Sequence, residues 1–207
     1  MGRRMREVTP TRSAALALAD EHRLMREGHA FLDEKRVLLA TEILSRLHTY
    51  GTRSQELAAA ITSAADALAA AVERHGLDQL QVYPMPEAPP APACDRTTLL
   101  GITLQQIKPS ADAPISVTLS AIDPSPEATA CREAFERVVR LAAEVGVEAG
   151  NLSRLAREYR RTERRAKALE NVLLPEVAAA IKYVDDQLEA MEREEAIAAR
   201  WFTIGAP

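Results

Sequence analysis

Apolar residues recur on one face of a helix along the first third of the chain. The pattern consists of two rows, Leu18, Met25, Leu32 and Leu39 at intervals of seven, then Leu57, Ile61, Ala64, Leu68 and Ala71 at alternating intervals of four and three. These intervals place side chains on a narrow stripe, as in a coiled-coil seam. Thr9-Pro10-Thr11 supplies a start signal and Gly76 a stop signal. We therefore expect a long helix over residues 11–76.

Gly51 is the weak point of this helix, because glycine lowers helical stability by about 1 kcal/mol relative to alanine. Thr52 and Gln55 stand at the spacing of a capping box. The sequence therefore allows a bend or a short break at this position.

A second helical pattern covers residues 127–203 and starts at Ser125-Pro126-Glu127, which offers a capping hydroxyl, a proline for the first turn and an acid. Gly146 and Gly150 weaken this helix without interrupting its seam, and Pro175 predicts a kink. The expected seam comprises Phe135, Val138, Ala142, Val145, Ala149, Leu152, Leu155, Tyr159, Thr162, Ala166, Leu169, Leu173, Val184, Leu188, Met191 and Phe202.

The intervening segment, residues 77–126, holds nine of the 12 prolines. Two stretches alternate with the period of a strand. One carries Leu100, Ile102 and Leu104 on a single side; the other carries Ile115, Val117, Leu119 and Ala121. With the loop KPSADAP between them they predict a small hairpin, which is marginal alone and should pack on the helices.

A helix with a narrow apolar seam cannot bury that seam alone. We therefore expect an all-α fold, an elongated antiparallel two-helix coiled coil with a small central β-hairpin, in which residues near Leu32 and Leu188 lie side by side. The expected segments are an N-terminal tail (1–10), a long helix (11–76), a Pro-rich and hairpin segment (77–126), a second long helix (127–203) and a short tail (204–207).

Composition excludes several classes of protein. Aromatic residues make up only 4% of the chain, which is unusual for a large globular core, and the net charge of −4 offers no general attraction to nucleic acid. No stretch approaches the roughly 20 apolar residues that a membrane-spanning helix needs. Cys94 and Cys131 have no metal-like spacing, which favours a reduced, intracellular setting.

Catalytic and metal-binding patterns are missing from the sequence. It contains no G-x-x-x-x-G-K-[ST], G-x-S-x-G or H-E-x-x-H motif, so we expect neither an enzyme nor a cofactor. His22 and His29 share a helix face but lie roughly 10.5 Å apart, too far for one metal ion. Residues 154–167 carry seven basic side chains against two acidic ones, and residues 185–195 six acidic against one basic. These bands are either solvated faces or surfaces that meet a partner.

Two blocks of the sequence resemble the D subunits of V/A-type ATPases. The blocks are VTPTRSAALAL with GHAFLDEKRVLL, and RRTERRAKALENVLLPEVAAAIKYVDDQLEAMEREE. The family usually has lysine where Asp33 stands, Val-Asn where Ala166-Lys167 stands, and a lysine-rich tail instead of the final RWFTIGAP.

The resemblance implies a central rotor shaft, cytoplasmic and peripheral to a membrane complex. Its partners would be the catalytic and regulatory ring subunits, the small F subunit of the central stalk and the subunit capping the membrane ring. The contact residues it suggests are Pro10, Thr11, Arg12, Gly28, Leu32, Lys35, Arg36, Arg164, Arg165, Leu169, Glu170 and Pro175. A non-rotary coiled-coil scaffold and the stalk protein of an export ATPase remain as alternatives.

Overall fold

The computed structural model describes residues 9–80, 83, 93–108 and 125–204, with side chains to Trp201. Helix α1 covers Arg12–Leu80, strands β1 and β2 cover Cys94–Leu99 and Ile102–Ile107, and helix α2 covers Pro126–Ala168. A π-helical segment, Leu169–Leu173, joins α2 to helix α3, Leu174–Ile204. The fold is all-α with one small hairpin, as the sequence predicts.

Helix α1 begins and is interrupted where its capping residues predict. The Oγ1 of Thr11 accepts a hydrogen bond from the amide of Ala14 at 3.1 Å, which is N-cap geometry. Gly76 has φ 73° and ψ 161°, a conformation essentially restricted to glycine, and it interrupts the helix. The short break that the sequence allows at Gly51 does not occur, because the helix continues through it. Thr52 does not form a capping box there; its hydroxyl donates to the carbonyl of His48 one turn back.

The chain divides into two structural units. The terminal unit comprises Met1–Leu38 and Tyr159–Pro207, and the central unit comprises Leu39–Glu158.

In the terminal unit, α1 and α3 run antiparallel around a small apolar cluster. Leu18, Val177 and Val184 are buried in it, with Met25 and Leu188 packed against them. Each fully buried aliphatic side chain stabilises the pairing by about 1.5–3 kcal/mol. The helices therefore pair in the expected direction, but Leu188 packs against the cluster that contains Leu18, and the Arg12–Glu192 pair places this part of α3 beside the start of α1 rather than beside Leu32. A heptad pattern fixes which face is buried and not which residues lie opposite each other.

In the central unit, α1 and α2 are connected by ion pairs that also show an antiparallel course. Arg46 bonds Glu148 at 3.2 Å, and Arg53 bonds Glu144 at 2.7 Å. Burial alone would lower the pKa of Arg46, but its hydrogen bond to Glu42 and the attraction of Glu148 outweigh this and raise it. The guanidinium therefore remains charged and holds both helices.

Besides Leu39 and His75, the residues of α1 that are buried in the central unit are small. Ala60, Ala64 and Ala71 are buried, whereas Ile61 and Leu68, which we expected in the seam, are 52% and 41% exposed. At about 100° per residue, Ile61 lies one position from Ala60, and Leu68 lies about 40° from Ala64 and about 60° from Ala71, toward the same side of the row. Small facing residues allow two helix axes to approach closely, so the alanines occupy the seam.

The second half of the seam also departs from expectation at particular positions. The expected seam residues that are exposed are Phe135, Ala142, Leu173 and Met191. An ideal helix drifts by about 20° per heptad relative to a strict seven-residue repeat. A row extrapolated over many turns therefore leaves the seam near its ends, where Phe135 and Met191 lie.

The hairpin differs from the predicted one. Strand β2 contains Ile102 and Leu104 as expected, but its partner is β1, with Cys94 opposite Ile107 and Leu99 opposite Ile102. The turn lies at Leu100-Gly101, where both residues have positive φ (51° and 83°). The predicted strand at Ile115–Ala121 and the loop KPSADAP lie outside the described residues.

Candidate functional site

The two sequence blocks that carry the resemblance come together in the terminal unit. His29 of the first block lies opposite Glu170 of the second, with Nε2 and Oε2 3.9 Å apart. Arg36 of the first block lies close enough to Glu163 to stabilise its carboxylate. Residues far apart in the sequence therefore form one surface, which is the candidate partner-contact site.

At the start of α1, Arg12 reaches α3 and bonds Glu192 at 2.9 Å. Both side chains are mostly exposed, so the pair contributes at most about 1 kcal/mol. Pro10 is half-buried and Thr11 caps the helix. This end of the site therefore consists of the N-cap of α1 and one surface ion pair.

A network of charges follows along the same helices. Arg36 bonds Asp33 at 2.7 Å, so this aspartate engages an arginine of its own helix. Lys167 bonds Glu163 at 2.9 Å. That hydrogen bond, the charge of Lys167 and then that of Arg36 lower the pKa of Glu163. Because the pKa of Glu163 is lower in the folded state, its ionic contacts stabilise the fold at neutral pH, and this stabilisation is lost as the pH falls through the folded pKa.

The predicted contact residues differ in how far they are available to a partner. Leu32, Lys35 and Leu169 are half-buried. The exposed members are Thr11, Arg12, Arg164, Arg165, Glu170 and Pro175. The exposed group presents mainly charged side chains, so a partner that meets this surface would meet charge first.

Gly28 has open space around it. A Cβ built at this position would meet no heavy atom within 4 Å. Close approach of the partner helix therefore does not explain the glycine. A tolerated surface glycine and close approach of another protein chain remain as explanations.

The π-helical segment before Pro175 changes which face of the helix is buried. The amide of Leu174 bonds the carbonyl of Leu169, five residues back. Leu169 and the buried Val177 are eight residues apart, one more than a heptad, and the wide π turn absorbs the extra residue. Leu173 consequently turns outward, and Pro175 sits just beyond the distorted turn, where its missing amide costs less than inside a regular helix.

Asn151 is the functional side chain that sequence reasoning missed. It is fully buried, and its amide group makes two hydrogen bonds to the backbone of Gln105 in β2, at 2.9 and 2.7 Å. Arg154 bonds both Asn151 and the side chain of Gln105. The side-chain amide of Asn151 makes the two backbone hydrogen bonds that a neighbouring strand would otherwise make, and it thereby attaches the hairpin to α2. An asparagine beside an apolar seam gives no sequence signal for this role.

A second connection joins the end of α1 to the start of α2. Nε2 of His75 and Oγ of Ser125 lie 2.6 Å apart, and both residues are buried. The same Oγ accepts a hydrogen bond from the amide of Ala128, so Ser125 is the N-cap that the sequence predicts.

The described part of the chain holds neither a cluster of metal ligands nor a membrane-spanning helix. Residues there include no group of three or more His, Cys, Asp and Glu side chains arranged to hold a metal ion. None of the described helices is long and apolar enough to cross a bilayer. Burial raises the pKa of the Cys131 thiol, which makes it a weak nucleophile.

Comparison with known proteins identifies relatives along nearly the whole chain. The V-type ATP synthase D subunit of Thermotoga neapolitana is 28% identical, with 91% of this chain and 93% of the relative covered. The A-type ATP synthase D subunit of Thermococcus sibiricus is 27% identical, with coverages of 92% and 91%. That of Pyrococcus furiosus is 29% identical, with coverages of 91% and 89%. The family model of the ATP synthase D subunits matches residues 14–202, which include nearly all of α1 and α3, the hairpin and α2. The chain therefore belongs to the family of ATP synthase D subunits.

Proposed function

We propose that this chain is the central-stalk subunit, the rotor axle, of a V/A-type rotary ATPase. It would transmit torque between ATP turnover in a catalytic ring and proton or sodium movement through a membrane ring. The observation that carries the proposal is the family match over residues 14–202, supported by relatives named as D subunits of V-type and A-type ATP synthases.

The internal connections of each unit support a mechanical role. A pair of helices transmits torque only if one cannot slide along the other. In the central unit, the pairs Arg46–Glu148 and Arg53–Glu144 and the His75–Ser125 contact oppose such sliding. In the terminal unit, the cluster around Leu18 and the Arg12–Glu192 pair do the same.

Chemistry would belong to the partners. The sequence has no nucleotide-binding motif, so ATP turnover in the complex would take place in the ring subunits. The proposed partners are the catalytic and regulatory ring subunits, the small F subunit and the subunit that caps the membrane ring. The proposed location is the cytoplasmic side of a membrane complex.

Charged surfaces favour contact with a ring. Besides Arg164 and Arg165, α2 exposes Arg157, Arg160 and Arg161 along its basic band. An exposed cationic face attracts acidic surfaces over a distance of about 10 Å at moderate salt. It would interact with successive subunits as the axle turns, without the tight packing that would stop rotation.

Co-purification provides the first test. An affinity tag on the chain should recover the large ring subunits and the F subunit from detergent-solubilised membranes. Recovery of a stable assembly that lacks ring subunits would indicate a scaffold or an export-ATPase stalk and contradict the proposal.

Reconstitution tests the coupling itself. Vesicles that contain the complete complex should pump ions when ATP is added, and complexes assembled without this chain should not pump. Ion pumping that persists without the chain would show that it does not transmit torque. The isolated chain should hydrolyse no ATP, and steady turnover by it would also exclude the axle function.

A further inference from the structure

Helix α1 of the terminal unit carries a row of large apolar side chains that its own partner helix does not cover. The row consists of Leu16, Leu24, Phe31 and Leu38, which are 71%, 70%, 65% and 48% exposed. Single exposed leucines are common, but an aligned set of large apolar side chains marks an interaction surface. We call these four residues the outer apolar row.

The outer apolar row has the spacing of a second seam. Leu24, Phe31 and Leu38 are seven residues apart, and Leu24 and Phe31 each precede a seam residue, Met25 and Leu32, by one position. One position corresponds to about 100° around a helix. The row therefore lies beside the existing seam, where a further helix could pack along α1.

Acidic residues alternate with the outer apolar row. Asp20, Glu27 and Glu34 are also seven apart, and each stands four positions before one of Leu24, Phe31 and Leu38. All three acids are exposed. Asp20 bonds Arg23, whereas no described residue forms an ion pair with Glu27 or Glu34. The second seam thus has apolar residues at one core position of the heptad and carboxylates at the other.

We propose that the outer apolar row binds a partner α-helix that has apolar residues at one heptad position and Lys or Arg at the other. Such a helix would bury Leu24, Phe31 and Leu38 and neutralise the acids between them. A second copy of this chain does not fit, because in a parallel pair Glu27 and Glu34 would face identical carboxylates, and in an antiparallel pair each would be buried against an apolar side chain without a counter-charge. This inference goes beyond the rotor function and does not depend on it, since it concerns the surface of the chain alone.

Two synthetic helical peptides of about three heptads provide the test. They share identical leucines and differ only in carrying Lys or Glu at the alternate heptad position. Titrated into the full-length chain and followed by fluorescence anisotropy, the Lys peptide should bind about tenfold more tightly than the Glu peptide, because three opposite-charge pairs replace like-charge pairs. The double variant Glu27→Lys/Glu34→Lys should reverse this preference.

Control variants distinguish peptide binding at the outer apolar row from nonspecific hydrophobic binding. Leu24→Gln/Phe31→Gln should abolish binding of the Lys peptide, and Leu44→Gln, a matched exposed leucine of α1 outside the row, should not. Circular dichroism should confirm that all variants remain helical. Equal binding of both peptides, failure of the charge reversal, or loss of binding in Leu44→Gln would each overturn the proposal. So would self-association of the wild-type chain that Leu24→Gln/Phe31→Gln removes, measured by analytical ultracentrifugation.

Discussion

At the scale of single residues, Asn151 shows how one polar side chain positions a whole element. Its amide donates to the carbonyl and accepts from the amide of Gln105, so both groups are satisfied without a further strand. Removing it would leave two backbone groups near a buried site without a partner, and each such group costs about 1–3 kcal/mol.

We expect Asn151→Ala to lower the free energy of unfolding by about 2–4 kcal/mol, since two hydrogen bonds are lost together. Urea denaturation measures the loss, and hydrogen exchange at the Gln105 amide should accelerate. Asn171→Ala is the matched control because Asn171 is exposed, and it should change stability by less than about 0.5 kcal/mol. Equal effects of the two substitutions would show that the buried amide does not hold the hairpin.

Gly76 is constrained by its backbone rather than by its neighbours. Gly76→Ala should destabilise the chain by about 1–3 kcal/mol, because an alanine at φ 73° and ψ 161° is strained while the space around its Cβ is open. Gly51→Ala should instead stabilise it by about 0.5–1 kcal/mol, because Gly51 is helical and equally unobstructed. Thermal unfolding of the two variants should shift the melting temperature in opposite directions, and a shift in the same direction would refute the argument.

At the scale of elements, the helices and their caps could be predicted from sequence because their signals are local. Thr11, Ser125 and Gly76 act through neighbouring backbone groups, so their roles can be recognised in a short stretch of sequence. The hairpin could be predicted only in part. Its turn uses Leu100 at positive φ instead of asparagine, and β1 is too polar to alternate clearly.

The π-helical segment could not be predicted from proline alone. Pro175 indicates a distortion, but which turn widens depends on where Val177 meets the opposite helix. Sequence reasoning therefore placed Leu173 in the seam, and the π turn moves it outward.

If the π turn absorbs one extra residue, deleting that residue should be tolerated. In a Pro175→Ala background, deletion of Val172 leaves Leu169 and Val177 one heptad apart, and we expect a regular α-helix with the seam intact. Deletion of Ala179 in the same background should cost at least about 1.5–3 kcal/mol more, because Val177 or Val184 must leave the seam. Chemical denaturation compares the two, and equal stability would show that the extra residue does not set the register.

At the scale of the whole molecule, the candidate site depends on chain ends that the fold brings together. The sequence identified both blocks, and the antiparallel pairing places His29 beside Glu170. The spacing of the apolar residues does not determine which residues of the two helices lie opposite each other, because sliding one helix by a heptad leaves a similar apolar contact. Cross-helix ion pairs such as Arg12–Glu192 distinguish these alternative pairings. Such pairs cannot be recognised in the sequence, because 27% of the residues are charged and many opposite charges could pair.

Assembly of the complex should be impaired when a large side chain fills the open space at Gly28. We expect Gly28→Leu to stabilise the isolated chain by about 0.5–1 kcal/mol through helix propensity and to reduce recovery of the assembled complex. Gly51→Leu should give the same gain without affecting assembly. Tagged variants expressed side by side allow the comparison by quantitative pull-down. Normal assembly of Gly28→Leu would remove the argument that another chain passes close to this position.

The alanine row of the central unit lowers the side-chain entropy that is lost when its helices pack together. Ala60, Ala64 and Ala71 have no side-chain rotamers to lose when they become buried, unlike leucine or methionine. At these three positions, reclosing the seam after a transient opening therefore needs no search among side-chain conformations. Such a joint can recover rapidly after each distortion, although it buries less apolar surface whenever it is closed.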